Sequence, residues 1–312
     1  MHFSITGYLG SGKTTICKKL QEQYGFERIY AGGILRELAK EKNMTILEFT
    51  KYRLENDEGK KYDKIVDDYT VRIAKENPDK DLIFDSRLAW HFIPDTFKIF
   101  VLVSPYEAAL RTYLVRKDSD ESYSSLEEAR DLLVERRIAE NRNYKKIYGV
   151  NCEDLSQYDL VIDTTSITTD AAVSIIMDCY NKKKNGEKYP RFWISPSSLF
   201  PTKPLNEINM DKVKNTFEAI SEKKVRIVEA LRFHDSLFIL DGHGVVLAYN
   251  LLKESLINPV IVMDEEDIKK RNINISDIIK VTKEDIDNWA KLNGFAYNYY
   301  PRVIEKIDSK ED

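Results

Sequence analysis

Short apolar runs alternate with longer amphipathic stretches along the first 180 residues of the chain. The runs at 1–6, 29–30, 82–85, 97–103 and 159–163 are short enough for buried parallel strands. Between them, apolar residues recur at helical spacing over 13–24, 33–42, 45–56, 57–76, 105–115, 125–147 and 168–182. Strands that alternate with helices are typical of an α/β domain with a parallel sheet. We expect this fold for residues 1–183.

A polar, lysine-rich segment interrupts this pattern. Residues 182–188 read KKKNGEK, and such a segment is typical of a solvated linker. A chain of 312 residues also exceeds the ~100–200 residues usual for one domain, so we place a linker at 184–190 and a second domain at 191–312. Its strands are predicted at 191–195, 225–231, 237–240 and 260–263, and its helices at 210–221, 244–253 and 283–292. The pattern predicts a smaller α+β domain.

The charge and cysteine content of the chain indicate which binding partners and which cellular compartment to expect. The 48 basic and 52 acidic residues give a formal net charge of -4, which leaves no basic excess to neutralise a nucleic-acid backbone. Cys17, Cys152 and Cys179 lie far apart without CxxC spacing, as in proteins of the reducing cytosol. No apolar run approaches the ~18 residues that a membrane span needs. We expect a cytoplasmic protein without nucleic-acid or membrane partners.

A glycine-rich segment lies between the first predicted strand and the first predicted helix. It reads GYLGSGKT at residues 7–14, the pattern of a phosphate-binding loop in the context that such a loop requires. The glycines let backbone N–H groups approach phosphates, Lys13 supplies positive charge, and the Thr14 hydroxyl can reach magnesium. We therefore expect ATP and Mg²⁺ as cofactors. The expected ATP contacts are Gly7, Gly10, Ser11, Gly12, Lys13, Thr14 and Thr15.

A carboxylate and an arginine follow the apolar run at 82–84. Asp85 comes directly after the run, where a carboxylate can hold magnesium or its bound water together with Thr14. Arg87 follows at once and can fork onto a second phosphate. The alternative interpretation is a surface ion pair between Asp85 and Arg87 at the strand end.

Arginines surround a polar stretch at 117–125 that is too long and hydrophilic for a tight turn. A loop flanked by arginines is typical of a lid that closes on a transferring phosphoryl group and excludes water. Taken alone, each arginine is more often a solvated helix residue, but their density predicts that two or three are functional. The five are Arg111, Arg116, Arg136, Arg137 and Arg142.

Four successive blocks make residues 1–180 resemble the archaeal-type cytidylate kinases, which are P-loop nucleoside monophosphate kinases. The blocks are GYLGSGKTT from residue 7, YAGGILRELAKEKNMTILEF at 30–49, FDSRLAW at 84–90 and NYKKIYGVNCEDLSQYDLVIDTT at 143–165. Their order and spacing match throughout. The resemblance implies a P-loop kinase fold with a lid, ATP on the loop, and a pyrimidine monophosphate between the sheet and the helices of residues 33–76.

The resemblance also implies roles for individual residues. Gly33 and Arg36 would hold the acceptor, Arg87 would bind its phosphate, and Arg136 would act from the lid. The predicted catalytic residues are Lys13, Asp85, Arg87 and Arg136. With the lid arginines included, the predicted substrate contacts are Gly33, Arg36, Arg87, Arg111 and Arg142.

Two departures from the family pattern keep other functions open. The family usually has Glu-Gly where this chain has Asp85 and Ser86, and a basic residue where it has Asn143. A P-loop kinase with a different acceptor, such as the hydroxyl of free serine, is therefore the second interpretation. The third is a nucleotide-sensing regulatory protein in which turnover is incidental.

A second candidate site lies in the second half, where the predicted strand at 237–240 leads into Asp241, Gly242 and His243. A strand, a glycine turn and a helix N-terminus can bind an anion; the alternative is a plain turn with a surface histidine. Residues 191–263 resemble the ParB/sulfiredoxin fold, with this turn as its DGH motif. Gly244 stands where that group has a basic residue, so we interpret this half as a binding or regulatory module.

Overall fold

Two β-sheets organise the protein in the computed structural model, which describes residues 1–116, 123–224, 226–234, 236–295, 297, 299–301 and 303–304. The first sheet has six strands and the second has four. Val225, at the start of a predicted strand, and residues 117–122 of the predicted lid lie outside the described residues.

The first sheet is parallel throughout, as the sequence predicts. Its strands are β1 (Phe3–Gly7), β2 (Glu27–Tyr30), β3 (Leu82–Asp85), β4 (Phe97–Leu102), β5 (Leu160–Asp163) and β6 (Phe192–Trp193). They lie in the order β2-β3-β1-β4-β5-β6. Because the carboxyl ends of parallel strands meet at one edge, Gly7, Tyr30, Asp85 and Asp163 end at the same side of the sheet.

Eight helices of the described first half connect these strands. They are α1 (Lys13–Tyr24), α2 (Ala31–Glu41), α3 (Ile46–Glu55), α4 (Asp57–Glu76), α5 (Ala89–Phe92), α6 (Pro105–Arg116), α7 (Leu126–Tyr148) and α8 (Thr169–Lys184). Local sequence explains several starts: the hydroxyls of Thr45, Ser125 and Thr168 each accept a hydrogen bond from a first-turn N–H group. All but α5 were predicted to within a few residues.

The second sheet is smaller and mixed. Its strands are β7 (Leu199–Phe200), β8 (Val228–Phe233), β9 (Ser236–Asp241) and β10 (Val260–Met263), in the order β10-β8-β9-β7. The predicted hairpin is confirmed, since β8 and β9 pair antiparallel. The associated helices are α9 (Met210–Ser221), α10 (His243–Leu251), α11 (Glu265–Lys270), α12 (Ile275–Ile278) and α13 (Lys283–Leu292). The sequence analysis missed β7, α11 and α12.

The two sheets share a hydrophobic core. One apolar cluster joins Phe100 and Leu102 of β4 to Leu199, Phe200 and Val228 of the second half. The predicted strand at 191–195 is shorter than expected, and as β6 it pairs with β5 in the first sheet. The division into two domains at 184–190 stays a prediction; the first strand after this segment, β6, lies at the edge of the first sheet.

None of the helices in the described ranges is both long and apolar enough to cross a bilayer.

Candidate active site

The phosphate loop lies between β1 and α1, at the carboxyl edge of the first sheet. The N–H group of Tyr8 donates to the Val101 carbonyl at 3.0 Å, which fixes the start of the loop on β4. A Cβ added at Gly10 would lie 2.7 Å from the Ala108 carbonyl oxygen, so glycine is required there. Gly12 precedes α1 with a left-handed φ of 78° and no side-chain cap among the described residues. The first-turn N–H groups of α1 are thus available to an anion.

Polar groups of the loop support the same interpretation. The Ser11 hydroxyl is buried and has no hydrogen-bond partner in the described part of the chain, while the Ser11 carbonyl accepts from Thr164 at 2.9 Å. Thr14 and Thr15 are exposed on the first turn of α1. A buried hydroxyl without a partner, free N–H groups and exposed threonines together fit the phosphates of a bound nucleotide.

A buried ion cluster lies beside the loop. The Asp85 carboxylate is fully buried, and its two oxygens pair with Lys13 and with Arg28. The Nε atom of Arg28 donates to Oδ2 of Asp85 at 3.1 Å. The sequence analysis brought Lys13 and Asp85 to one site but missed Arg28, which reaches Asp85 because β2 pairs with β3. The alternative of an Asp85–Arg87 pair is not observed in the described residues.

Two arginines contact the ring of Tyr30 at the end of β2. The guanidinium of Arg28 lies 4.3 Å from the centre of the Tyr30 ring, and that of Arg36 lies 5.4 Å from it. Arg36 also donates to the Tyr30 hydroxyl at 3.2 Å. A Cβ at Gly33 would lie 3.2 Å from the same ring. In this structure Gly33 therefore makes room for Tyr30, and Arg36 lies on the β2 side of the loop.

Arg87 and Arg136 converge on one carboxylate next to the loop. Arg87 donates to the Gly7 carbonyl and lies 3.1 Å from Oε2 of Glu140. Arg136 lies one helical turn before Glu140 on α7, and its Nε donates to the other Glu140 oxygen at 3.0 Å. The structure thus brings together two predicted catalytic arginines. Glu140, which orients both, was missed because only the fold places α7 against Arg87.

The remaining predicted arginines lie elsewhere. Arg111 donates to Glu107 at 2.8 Å and to the Thr164 carbonyl at 2.7 Å, so it lies at the β5 side of the loop, across the sheet from Arg36. Arg142 is exposed and lies two positions after Glu140, so it points away from the face that carries Arg136. The structure does not bring Arg142 to this cluster. Of the Arg116 side chain nothing is described.

Arg137 enters a different cluster, which includes a residue of the second half. Its guanidinium lies 4.4 Å from the centre of the Tyr8 ring, and its Nε lies 3.2 Å from Oε1 of Glu153. Glu153 also pairs with Arg232 of β8. This contact links the phosphate loop to the second sheet.

The second candidate site differs from its prediction. His243 is buried, and its Nε2 accepts a hydrogen bond from the Thr202 N–H group at 3.1 Å. Burial lowers the pKa of His243 to about 4, so the ring is neutral near pH 7. The alternative of a surface histidine is therefore wrong, and the ring nitrogen is used to hold the segment that follows β7. Asp241 is exposed, and Gly242 has a left-handed φ of 95°.

Cys17 lies on α1 below the loop. Burial, and after it the charge of Asp85, raises the pKa of the Cys17 thiol to about 12. A protonated, buried thiol is not a nucleophile. The site therefore offers phosphate binding and electrostatic stabilisation, and Cys17 serves packing.

Residues 2–166 match the model of a protein family described as cytidylate kinase-like. The match covers more than half of the chain and contains both the phosphate loop and the arginines around it. The chain belongs to the cytidylate kinase-like family. It is therefore a phosphotransferase, and its family is one of nucleoside monophosphate kinases. The family match confirms the kinase assignment. It favours neither of the alternatives, the P-loop kinase with a different acceptor and the nucleotide-sensing regulatory protein.

Individual relatives agree with the family match. Cytidylate kinase of Pyrococcus furiosus is 36% identical over 174 residues, which cover 55% of this chain and 84% of that protein. Cytidylate kinase of Methanocaldococcus jannaschii is 32% identical over 188 residues, 59% of this chain and 99% of that protein. A shikimate kinase structure from Acinetobacter baumannii covers 59% of this chain and 94% of its own, with 16% identity and a TM-score of 0.38; a likeness so distant carries no argument.

Proposed function

We propose that the protein is an ATP- and magnesium-dependent cytidylate kinase that transfers the γ-phosphate of ATP to CMP or dCMP. The observation that carries this proposal is the convergence of Arg87 and Arg136 on Glu140, directly beside Gly7 of the phosphate loop. A second cationic site at the same sheet edge suits a second phosphate, that of the acceptor. The cytidylate kinases among its relatives support a pyrimidine monophosphate as that acceptor.

The donor side would use the uncapped N-terminus of α1. Its free N–H groups would bind the phosphates of ATP, and Lys13, now oriented by Asp85, would contact the β- and γ-oxygens. The predicted ATP contacts of residues 7–15 follow from this placement. Arg111 donates to the Thr164 carbonyl, and the Thr164 hydroxyl donates to the Ser11 carbonyl of the loop, which supports a role for Arg111 on the donor side.

Magnesium would neutralise negative charge on the donor phosphates. Thr14, exposed on the first turn of α1, is the residue that would hold it, whereas the predicted ligand Asp85 does not fit, because its buried oxygens already pair with Lys13 and Arg28. Within the described ranges, no group of three or more His, Cys, Asp or Glu side chains could hold a metal ion. A metal at this site would be bound by few protein groups, with water and substrate phosphates as its other ligands.

The acceptor base would occupy a cavity of about 340 Å³ between α4, α5 and the end of α7. Phe92 and Val71 give the cavity apolar walls, and Asp67 accepts a hydrogen bond from the Tyr148 hydroxyl at 2.8 Å. Carboxylates can accept from the exocyclic amine of cytosine. The lining residues are Lys64, Asp67, Asp68, Val71, Phe92, Ile147 and Tyr148. Phe92 lies on the short helix that follows Arg87, so the cavity suits a base whose phosphate binds Arg87.

Catalysis would be positional and electrostatic. Arg87 and Arg136 would stabilise the charge that spreads over the transferred phosphoryl group, and no covalent intermediate is required. Both arginines are held by Glu140 in this structure. The acceptor phosphate would replace Glu140 as the partner of Arg87.

Three free, buried cysteines support a location in the reducing environment of the cytoplasm.

The strand, glycine turn and helix at Asp241, Gly242 and His243 support a ParB/sulfiredoxin-like module at residues 191–312. Because His243 is already bonded to Thr202, we infer that this module does not catalyse a second phosphoryl transfer.

An acceptor panel tests the function. The protein is incubated with γ-labelled ATP and Mg²⁺ together with CMP, dCMP, UMP, AMP, free serine or small alcohols, and the labelled products are separated. We expect rapid transfer to CMP or dCMP. Transfer to serine or an alcohol, with none to any nucleoside monophosphate, would contradict the proposal.

Two lysines on α1 give a matched control. Lys13→Ala removes the charge beside the loop and should lower kcat by at least 1,000-fold, about 4 kcal/mol, with the fold intact. Lys19→Ala removes a lysine of the same helix that pairs with Asp170 at the surface, and it should leave the rate unchanged. Full activity of Lys13→Ala would show that the loop is not the phosphate site.

A further inference from the structure

A buried cluster at the junction of the two sheets consists of Tyr8, Arg137, Glu153 and Arg232. The side chains of Arg137, Glu153 and Arg232 are only 12%, 14% and 17% exposed. Arg232 donates to the carbonyl and to the carboxylate of Glu153, and it reaches the Tyr8 hydroxyl at 3.3 Å. The first three residues lie within the family match at 2–166, whereas Arg232 lies beyond it. The second half of the chain thus contributes a charge next to the phosphate loop.

Tyr8 is the second residue of the loop and is held at its backbone N–H group, its ring and its hydroxyl. Its N–H group donates to Val101, and its ring lies edge-on to Phe100 at 5.3 Å. Arg137 covers the ring face at 4.4 Å, and Arg232 holds the hydroxyl. Because Tyr8 is held at these points, the N–H groups of the loop stay oriented before the nucleotide binds. Such preorganisation increases both the affinity for the nucleotide and the rate of phosphoryl transfer.

The same cluster also fixes α7. Arg137 is adjacent to Arg136, and its pairing with Glu153 sets the rotation of α7 that turns Glu140, the partner of Arg136, toward Arg87. The Nε atom of Arg137 has no hydrogen bond within the described residues, so Glu153 holds it by charge alone. Arg232 binds the other oxygen of the same carboxylate, so without Arg232 the Glu153 side chain would keep only its charge contact with Arg137. Arg232 therefore influences both the loop and the lid helix without contacting either substrate.

We propose that Arg232 is a positioning residue for phosphoryl transfer, contributed by the half of the chain outside the family match. It acts through Glu153 and Tyr8 on the phosphate loop. The proposal rests on the kinase function proposed above. Its primary readout is the affinity for ATP without an acceptor, which does not depend on the identity of the acceptor.

The test compares Arg232→Met, Arg232→Lys and Tyr8→Phe in the full chain. Calorimetry gives the Kd for ATP, and steady-state assays give kcat and the KM for CMP. We expect Arg232→Met to raise the Kd for ATP about 10-fold and to lower kcat by a similar factor, with the KM for CMP changed less than twofold. Arg232→Lys should recover part of the loss, because lysine keeps the charge but lacks the planar fork that reaches two partners.

Tyr8→Phe removes only the hydroxyl and keeps the proposal testable if Arg232→Met fails to fold. It should raise the Kd for ATP about 3-fold, and the double variant should be no worse than Arg232→Met alone, because the two groups act through one contact. Arg271→Met, which breaks an exposed pair with Glu229 in the same half, is the matched control and should change nothing. Wild-type ATP affinity in folded Arg232→Met or in Tyr8→Phe, or additive effects in the double variant, would overturn the proposal. A wild-type protein that binds ATP but does not phosphorylate CMP would contradict only the proposed acceptor.

Discussion

At the residue scale, Asp85 is the most constrained group of the site. Its carboxylate is fully buried between Lys13 and Arg28, so its replacement leaves two cations facing each other without a counter-charge. Breaking such a buried pair costs about 3–5 kcal/mol. We expect Asp85→Asn to lower the free energy of unfolding by this amount, measured by urea denaturation at pH 7.

The exposed pair of Lys19 and Asp170 provides the control for that measurement. Asp170 lies at the start of α8 with its side chain 64% exposed, and the Lys19 side chain is 29% exposed, so water and salt screen the charges. Asp170→Asn should therefore shift the unfolding curve far less than Asp85→Asn does. An equal loss in both variants would mean that Asp85 does not stabilise the site through its two cations.

At the scale of elements, α7 contains Arg136, which we propose for the acceptor side, and Arg137, which lies at the junction of the two sheets. Its Arg136 faces Glu140 and, through it, Arg87. We expect Arg136→Met to lower kcat about 100-fold, the size of effect seen when one group that stabilises a transition state is removed, and to leave the Kd for ATP within twofold. Rapid-quench kinetics with ATP and CMP measure this.

Lys146→Met serves as the control for α7, because Lys146 is exposed on the last turn of the same helix. It should retain the wild-type rate. If both variants lost activity equally, the cause would be the helix as a whole and not the guanidinium of Arg136.

The sequence predicted the positions of strands and helices better than it predicted which of them pair or pack together. Apolar spacing and the glycine loop located most strands and helices of the first sheet, since these signals are local. The two-residue strand β7 is too short for any periodic signal, and the sheet that β6 joins is decided by tertiary packing. Arg28 and Glu140 were missed for the same reason: each becomes a site residue only when a neighbouring strand or helix brings it to Asp85 or Arg87. His243 could be placed on a turn, but its burial depends on α13 and Trp289.

At the scale of the whole molecule, the shared core makes the two halves thermodynamically dependent on each other. The apolar cluster that joins Phe100 and Leu102 to Leu199 and Val228 contains Trp289 as well, which is fully buried in α13. Unfolding of either half would expose this cluster, so the described residues should unfold as one unit.

Ligand binding tests this dependence. ATP at about 100 times its Kd should raise the free energy of unfolding by about 2.7 kcal/mol. Because the halves share a core, the whole calorimetric transition should move upward, and Trp289 fluorescence, followed in a Trp90→Phe, Trp193→Phe protein, should change at the same raised temperature. Two calorimetric transitions, of which ATP moves only one, would show instead that the second half folds independently.

Arg232→Met should still show a single calorimetric transition, but ATP should raise its temperature less than in the wild type. The variant weakens nucleotide binding, while the apolar core that joins the halves stays intact.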